Sequence, residues 1–541
     1  MKKASKIQSL IKKIESSIVK GEINTVINDL KELLKIEPSN YAAHTELGNC
    51  LSKLNKFEEA LLCYLKADEL NKNNSVILNN IGITYLFLNN FYAAEAYLIK
   101  SIECDSENFQ PYINLGSAYD TQGLHQKNLN ISIRGISKWP KNEIFHLNLG
   151  VALMGLNLFQ EAKISFETAL LLRPKYIEAE LNLAALYTKT GENDIAVSIY
   201  EKFISENKNS NHERLDLVKY YLSYEYLLKG ILDLGWKLYT SGFNHLIPSY
   251  LKRRPDRKFE VPLWQVNYEK DCRLLVWSEQ GLGDELLFAT ILPDQIKITS
   301  NLIFECDPRL VQIFSRTYPS ITVRAHSFDE SNFYKQKIYD YDFHIPSGNL
   351  CEIHRNSIEK FPLKSPALIV DIDKKNHHLS RLSEFEGQFF IGICWRSGLM
   401  TPARNSEYTS ILDWEPIFSI PNACFINLQY GNCEEELKQA EEKFKIKIMR
   451  WNDIDLKNDI DNVFALIDCL DFVVTAGTAV SPMAASLRKQ TYQFLNKKSW
   501  DMLGTNKYPW FDTVNIILAP DENITASALA PIAELIKKGI E

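Results

Sequence analysis

The sequence predicts a helical-repeat solenoid followed by an α/β region of two lobes, each built on a parallel sheet. Three observations predict it. The pairs Leu47-Gly48, Ile81-Gly82, Leu115-Gly116, Leu149-Gly150 and Leu183-Ala184 stand 34 residues apart along the first half. The recurrence stops near Asn244, and beyond it short apolar runs alternate with helical patterns. This alternation comes in two stretches, divided by a polar, charged segment at residues 371–388. Alternating strands and helices imply parallel strands joined by crossover helices. Recognition is therefore expected in the front half and chemistry in the back half.

A 34-residue period is that of the tetratricopeptide repeat, a helix-turn-helix unit. Other positions keep the same register. Ala60, Ala94, Ala162 and Ala196 follow the inter-helix turn, where two helices approach closely, and Tyr64, Leu98, Phe166 and Tyr200 come four residues later on the same face. Pro38, Pro140 and Pro174 end second helices. Residues 7–40 fit weakly, with Val26, Leu30 and Leu33 in register, as a capping repeat does. Residues 211–243 read as a degenerate last repeat with Leu217, Tyr221, Gly235, Trp236 and Tyr239. The array is thus expected over 1–243, as a superhelix that binds an acceptor protein.

Before four of the five pairs stand Asn80, Asn114, Asn148 and Asn182, with Glu46 one repeat earlier. Side chains that recur once per repeat form a row. An asparagine amide offers a donor and an acceptor. It can pair with the backbone of an extended peptide, or simply with its neighbour in the array. The row resembles the asparagine ladder in the repeat domain of O-GlcNAc transferases.

At 541 residues and 45% hydrophobic, the chain can bury more than one core. A formal charge of −7 argues against a nucleic-acid partner. No stretch reaches the roughly 18 consecutive apolar residues of a spanning helix, and no signal peptide is visible at the start. Ten cysteines are scattered without a C-x-x-C pair, some inside apolar runs such as that at Cys394. That usage suits a reduced, cytoplasmic protein without structural zinc.

Residues 244–268 read as a linker, with Pro248, Pro255 and Pro262 and the basic cluster Lys252, Arg253, Arg254, Arg257 and Lys258. The cluster is expected to be solvated. Strands are expected at 273–277, 302–305, 321–324 and 341–345, then at 389–395, 424–428, 446–449, 471–475 and 491–495, with a closing helix near 525–538. Two such runs imply two Rossmann-like lobes facing a cleft, divided here as 269–375 and 376–541. Ligands bind at the carboxyl ends of parallel strands, and three strand ends carry suggestive chemistry. Ser278-Glu279-Gln280-Gly281-Leu282-Gly283-Asp284 places two carboxylates around glycines that let a ligand approach, without the spacing of a dinucleotide or P-loop motif. Trp395-Arg396-Ser397-Gly398 offers a cation after a buried strand. Thr475-Ala476-Gly477-Thr478-Ala479-Val480-Ser481 opens a helix, where free N–H groups and hydroxyls suit phosphate. Each alone is also an ordinary turn, a surface arginine or a helix cap. Together on facing lobes they suggest a nucleotide-sugar cleft.

Leu274-Leu275-Val276-Trp277-Ser278-Glu279-Gln280-Gly281-Leu282-Gly283-Asp284-Glu285 resembles bacterial repeat proteins with a heptosyltransferase-like glycosyltransferase domain. So do Tyr408-Thr409-Ser410…Asp413-Trp414, Asn427-Leu428-Gln429-Tyr430-Gly431-Asn432-Cys433 and Met502-Leu503-Gly504-Thr505…Pro509-Trp510-Phe511. The resemblance covers nearly the whole chain and is nearest to proteins that glycosylate flagellin in alphaproteobacteria. It implies a GT-B fold and a repeat domain that presents the acceptor protein, flagellin. It implies Asp284 as catalytic base, with Glu279 the other candidate. It implies donor contacts from Trp395, Arg396, Ser397, Gln429, Tyr430, Gly477, Thr478 and Ser481, and acceptor contacts from Gly281 and Gly283 beside the asparagine row. Many relatives read Asp-Thr-Ala-Val-x-His where this chain has Gly477-Thr478-Ala479-Val480-Ser481-Pro482, so an acid and a histidine are absent.

The expected activity is transfer of a sugar from a nucleotide-sugar, such as a CMP-linked nonulosonic acid, to Ser or Thr of the bound protein. No metal is expected to take part, because Asp340-Tyr341-Asp342 and Asp371-Ile372-Asp373 lack the strand context of a D-x-D manganese site. The missing acid and histidine keep a non-catalytic scaffold as an alternative. A transferase acting on a glycolipid is a third reading, opposed by the asparagine row and the absence of an amphipathic membrane segment.

Overall fold

A computed structural model describes the chain except for Met1 and residues 209, 211, 244–252, 254–256, 258, 267–270, 327–339, 386, 399–406, 522–524 and 541. Most of the expected linker, including Lys252, Arg254, Pro248, Pro255 and Lys258, thus lies outside the described residues. The chain divides into two compact units, Met1–Glu192 and Asn193–Glu541.

The first unit is a run of antiparallel helix pairs: α1 (Lys2–Val19) with α2 (Ile23–Ile36), α3 (Tyr41–Lys53) with α4 (Phe57–Leu70), α5 (Ser75–Phe87) with α6 (Phe91–Cys104), α7 (Gln110–Thr121) with α8 (His125–Lys138) and α9 (Glu143–Gly155) with α10 (Phe159–Leu172), then α11 (Ile177–Thr190). Two steric rules produce it. The Leu-Gly glycine makes room for a bulky residue 16 positions on: an added Cβ would lie 2.6 Å from the Tyr64 ring at Gly48, 2.7 Å from Leu98 at Gly82 and 2.5 Å from Phe166 at Gly150. The alanines Ala60, Ala94 and Ala162 are fully buried where the pair closes. The inter-helix turn also needs one left-handed residue, supplied at the same register by Gly21, Asn55, Asn89, Gly123, Asn157 and Gly191. These are residue types for which positive φ costs little. Gly21 keeps that register, so α1 and α2 follow the turn geometry of the pairs after them.

The second unit opens with α12 (Asn193–Asn207), α13 (Leu215–Leu228) and α14 (Leu232–Tyr239). It continues with a four-stranded parallel sheet of β1 (Arg273–Trp277), β2 (Asn301–Cys306), β3 (Thr322–Ala325) and β4 (Phe343–Pro346), in the order β3-β2-β1-β4. Its helices are α15 (Leu282–Ala289), α16 (Leu292–Ile296), α17 (Val311–Thr317) and α18 (Leu350–His354). After α19 (Ile372–Leu382) comes a six-stranded parallel sheet of β5 (Phe389–Cys394), β6 (Ala423–Asn427), β7 (Ile448–Met449), β8 (Phe472–Ala476), β9 (Gln490–Leu495) and β10 (Val514–Leu518), with α20 (Glu415–Phe418), α21 (Glu434–Phe444), α22 (Ile460–Ile467), α23 (Val480–Ser486) and α24 (Leu529–Ile540). Its order, β10-β9-β8-β5-β6-β7, reverses direction between β5 and β8, as doubly wound sheets do at their ligand crevice. In the smaller sheet the reversal lies between β1 and β4.

Two expectations need correction. The polar segment 371–388 is not a featureless link. Asp371 caps α19 by accepting from the Asp373 and Lys374 N–H groups, and the helix buries only His378 and Leu382. Its charges pair with Asp461, Asp468 and Asp453, which is why the segment reads as polar. The expected lobe boundary at 375/376 falls inside this helix. Strand β10 was not expected, because no helix of more than a 3₁₀ turn precedes it to complete an alternation.

The packing rule gives a test. Gly150→Ala drives a methyl into Phe166 and should destabilise the array by about 1–3 kcal/mol. Gly150→Ala combined with Phe166→Leu should recover part of the loss, as read by urea unfolding followed by circular dichroism.

Candidate active site

At the end of β1, Glu279 is 2% exposed and forms a two-pronged ion pair with Arg253, itself fully buried. Arg253 also donates to the Tyr239 carbonyl at 3.1 Å and to Asn349 Oδ1 at 2.6 Å, and Glu279 accepts from the Gly348 N–H at 2.7 Å. The carboxylate is thus consumed in joining the ends of β1 and β4. Arg257 is likewise buried against Glu305, at 2.8 Å. The basic cluster is therefore not a solvated linker at these two positions: Arg253 answers the buried Glu279, and Arg257 shares the buried Glu305 with Arg324.

The loop then turns at Gln280, which carries the left-handed φ of 65°. Neither Gly281 nor Gly283 does. Gln280 Nε2 donates to the Tyr220 hydroxyl at 3.0 Å. Asp284 follows in the first turn of α15, half-buried, and Oδ2 accepts from the Gly281 N–H at 3.2 Å. Burial is the largest influence on this carboxyl and raises its pKa to about 6; the Gly281 N–H opposes the rise, while the charges of Asp501 and Glu279 add to it. The next residue, Glu285, is buried and bonded to the Asp307 N–H, and burial pushes it up to about 8. Of the two base candidates, only Asp284 retains an oxygen that the loop does not use.

The three expected strand ends converge. Gly283 lies against Ala479 and Pro482, whose atoms would come within 3.7 Å of an added Cβ. Beyond them, Cys394 Sγ lies 3.6 Å from both Thr478 Oγ1 and Gln429 Oε1. Gln429 Oε1 accepts from the Trp395 and Arg396 N–H groups at 3.1 and 3.0 Å. The carboxyl ends of β1, β8, β5 and β6 thus form one continuous surface. Ser397 is buried on it, and Tyr430 packs over Gly398, whose missing side chain leaves room for the ring.

Two donor candidates are more occupied than the sequence suggested. Arg396 is ion-paired with Glu436 and donates to the Asn432 carbonyl at 3.0 Å; Trp395 Nε1 donates to the same Glu436 at 2.7 Å. At the α23 start, Thr478 Oγ1 accepts from the Val480 N–H and the Thr478 carbonyl from the Ser481 N–H. Ser481 Oγ is buried and makes no hydrogen bond. Gly477 lies beside Leu495 and Gln493.

Next to Tyr430 opens a pocket of about 520 Å³ at the carboxyl ends of β6 and β7. Tyr430, Asn432, Arg450, Trp451, Asn452 and Asn458 line it among others. Arg450 is held by Glu434 and Glu441. Sequence reasoning named Gln429 and Tyr430 here but missed 450–458: a strand was expected at 446–449, ending where β7 ends, yet the residues after it were not counted among the strand ends with suggestive chemistry. The cue was Arg450-Trp451-Asn452, an aromatic and two hydrogen-bonding side chains directly after an apolar pair.

In the array, Asn80 Nδ2 donates to Asn49 Oδ1 at 3.2 Å, Asn114 Nδ2 to Asn79 Oδ1 at 2.7 Å, and Asn182 Nδ2 to the Glu178 carbonyl at 2.8 Å. Asn148 Nδ2 is buried and makes no hydrogen bond. Asn80, Asn49, Glu46 and Tyr64 line a groove of about 470 Å³ whose wall includes Phe57 and Phe87, stacked 4.5 Å apart. Among the described residues, no group of three or more His, Cys, Asp or Glu side chains could hold a metal ion. Asp340 pairs with Arg324, Asp342 with Arg273, and Asp371 caps α19. No helix among them is long and apolar enough to cross a membrane.

The ion pair at Glu279 predicts a specific stability pattern. Arg253→Ala strands a buried carboxylate and should cost about 3–5 kcal/mol. The double change Arg253→Met with Glu279→Leu should cost less than the single one, measured by denaturant melts of the full chain.

The tetratricopeptide-repeat family model matches residues 41–74, 76–108 and 145–176. The chain is 25% identical to Protein FlbA of Caulobacter vibrioides (strain ATCC 19089 / CIP 103742 / CB 15) over 520 residues, covering 94% of this chain and 86% of FlbA. It is also 25% identical over 178 residues to the human (Homo sapiens) Protein O-mannosyl-transferase TMTC3, covering 32% of this chain and 20% of that protein. A crystal structure of a tetratricopeptide repeat protein from Parabacteroides merdae ATCC 43184 is similar at a TM-score of 0.39 and 20% identity, over 46% of this chain and 97% of that one. The chain thus carries tetratricopeptide repeats, followed by parallel sheets and helices, and is similar along nearly its whole length to Protein FlbA.

Proposed function

We propose that the chain is a metal-independent protein O-glycosyltransferase. Its repeats bind an acceptor protein, and its two sheets form a GT-B pair that transfers a sugar from a nucleotide-sugar to Ser or Thr. The observation that carries this reading is the junction of the Gly281–Asp284 turn with the Ala479–Pro482 turn. It brings a carboxylate at the end of β1 to the crevice of the six-stranded sheet. The activity in the printed name of TMTC3, similar over part of its length, supports glycosyl transfer to protein. The resemblance to flagellin glycosyltransferases supports flagellin as the acceptor and a CMP-linked nonulosonic acid as the donor.

Asp284 takes the acceptor hydroxyl's proton as the new oxygen–carbon bond forms, and the nucleotide leaves with the electrons of the old one. On this reading the sugar-bearing phosphate of the nucleotide lies near Thr478 and Ser397, and its nucleobase in the pocket beside Tyr430 and Trp451. Arg396 meets a phosphate by exchanging Glu436 for it. A second reading, a scaffold with an inactive domain, is favoured by that same Arg396–Glu436 pair and by the helix-start N–H groups already bonded within the turn. Thermal shift with CMP-, UDP-, GDP- and ADP-linked ligands separates the two, since a closed scaffold responds to none.

Four outcomes are expected. Asp284→Asn keeps the helix cap and should lower transfer at least roughly 10²-fold with little change in nucleotide affinity. Transfer should rise with pH through about 6, because the base works only when ionised and its pKa is raised to that value; a rate flat from pH 5 to 8 would remove Asp284. Arg396→Ala should weaken nucleotide binding about tenfold or more, in line with losing a charged hydrogen bond at about 1.5–3 kcal/mol, while Glu436→Gln should strengthen it, both by isothermal titration. Asn80→Ala should weaken acceptor capture by the full chain more than Asn148→Ala does, because Asn80 lines the open groove while the Asn148 amide nitrogen is buried.

A further inference from the structure

The turn before Asp284 is held by a contact with no part in the steps above. Its left-handed residue is Gln280, at a φ of 65°. That conformation is routine for glycine and tolerated by asparagine, but costly for a glutamine unless something holds it. The glutamine is exposed, yet its side chain turns back, and Nε2 donates to the Tyr220 hydroxyl at 3.0 Å. Tyr220 lies on α13 and is 4% exposed. Its ring packs against Tyr224 at 5.1 Å and Tyr239 at 5.7 Å, and its hydroxyl stands 2.8 Å from the Tyr224 hydroxyl. An added Cβ on Gly242 would lie 2.7 Å from the ring. Tyr239 in turn lies under the Arg253 guanidinium, 4.0 Å from its ring centre. The packed phenol is thus the fixed end of the bond, and the exposed glutamine is the end that would otherwise turn.

Resting on the reading of Asp284 as base, we propose that Tyr220 is a positioning residue for that base: its hydroxyl holds Gln280 in the left-handed conformation from which the next peptide presents the Gly281 N–H to Asp284. The link is geometric. The plane of the peptide between Gln280 and Gly281 is set by the torsions of Gln280, and the N–H it carries is bonded to Asp284 Oδ2 at 3.2 Å. If Gln280 relaxes to the extended or right-handed region, that N–H swings away from the carboxylate. The carboxylate then loses its orientation and a donor that favours its ionised form. Gly281 does not take over the left-handed place, for its own φ is −106°. A helix of the last repeat therefore acts on the Gln280–Asp284 turn directly, through a hydroxyl rather than through a bound acceptor.

The other groups that bear on Asp284 stay in place when this bond is removed. The Glu279 charge is met by Arg253, and Asp501 is hydrogen-bonded by Ser499 and Tyr508. Burial pushes Tyr224, Tyr239 and Tyr508 well above the usual tyrosine value, so they stay neutral. A changed titration of Asp284 in a Tyr220 variant thus reports the turn.

The test is made on the full chain. Tyr220→Phe should lower kcat for transfer roughly 3- to 10-fold, the effect of one lost hydrogen bond, with KM for the acceptor protein near the parent value. The acid limb of its pH–rate profile should move to higher pH, because the Gly281 N–H no longer favours the ionised carboxyl. Tyr224→Phe keeps the Tyr220 hydroxyl and should cost less. Gln280→Gly and Gln280→Ala both remove the amide, but only the first takes a left-handed φ freely. Gln280→Gly should therefore keep more transfer than Gln280→Ala, and Tyr220→Phe should add little further loss to it. An arm independent of activity compares urea midpoints. Gln280→Gly should unfold at higher urea than Gln280→Ala, and Tyr220→Phe should lower the midpoint less in the Gln280→Gly chain than in the parent. Equal transfer by the two Gln280 variants, or an equal loss from Tyr220→Phe with and without Gln280→Gly, overturns the proposal. Full activity of Asp284→Asn overturns the base reading instead, and the urea midpoints then still decide whether Tyr220 holds the turn.

Discussion

The Arg253–Glu279 ion pair is the contact on which the geometry of the second unit turns. One guanidinium gathers the carboxylate at the end of β1, the Asn349 side chain after β4 and the Tyr239 carbonyl at the end of α14. These are the two central strands of the smaller sheet and the last helix before it. Their loops would otherwise diverge at the point where the sheet reverses direction. Taking two charges out of water is expensive, and what offsets it is that nearly every donor and acceptor of the pair is used. Glu279, a candidate for catalysis in the sequence, is engaged instead in holding the ends of β1 and β4 together. Asp284, five positions on, is thereby set at the start of a helix with its position fixed from behind.

Much of the architecture was legible because its causes are local. A 34-residue period reports a steric rule that each repeat obeys independently: a glycine opposite a ring, an alanine at the crossing, a left-handed residue in the turn. Strands β1, β2, β5 and β8 announced themselves as apolar runs because parallel strands are buried on both faces. What stayed hidden has non-local causes. The burial of Arg253 and Arg257 depends on glutamates many residues away, so a basic cluster between prolines looked like solvated chain. Helix α19 looked like a link because its charges are answered by aspartates some 70 to 90 residues later. Pocket residues 450–458 follow a strand that was expected, at 446–449, but they become a pocket only by facing residues 427–437.

The candidate site shows the same division. Glycine spacing drew attention to the right loop but not to the right residue for backbone strain, which falls on Gln280. The sequence also left Glu279 as a candidate behind Asp284. Partner bonds separate them: one carboxylate is fully engaged and the other half so. At the six-stranded sheet, Arg396 and Gln429 were expected to neighbour a ligand. The structure shows Gln429 bracing the backbone of the β5 loop and Arg396 ion-paired with Glu436.

The recurring left-handed turn also bears on how such an array changes over generations. Gly21, Asn55, Asn89, Gly123, Asn157 and Gly191 keep one register. A duplication or loss of a whole 34-residue block, wherever it begins, puts an asparagine or glycine back at every turn. A shift of one or two residues instead brings lysine, leucine or glutamate to a conformation they adopt only at a cost. The number of repeats is therefore free to drift by whole units, while the length of each unit is held fixed by a glycine or asparagine in each left-handed turn.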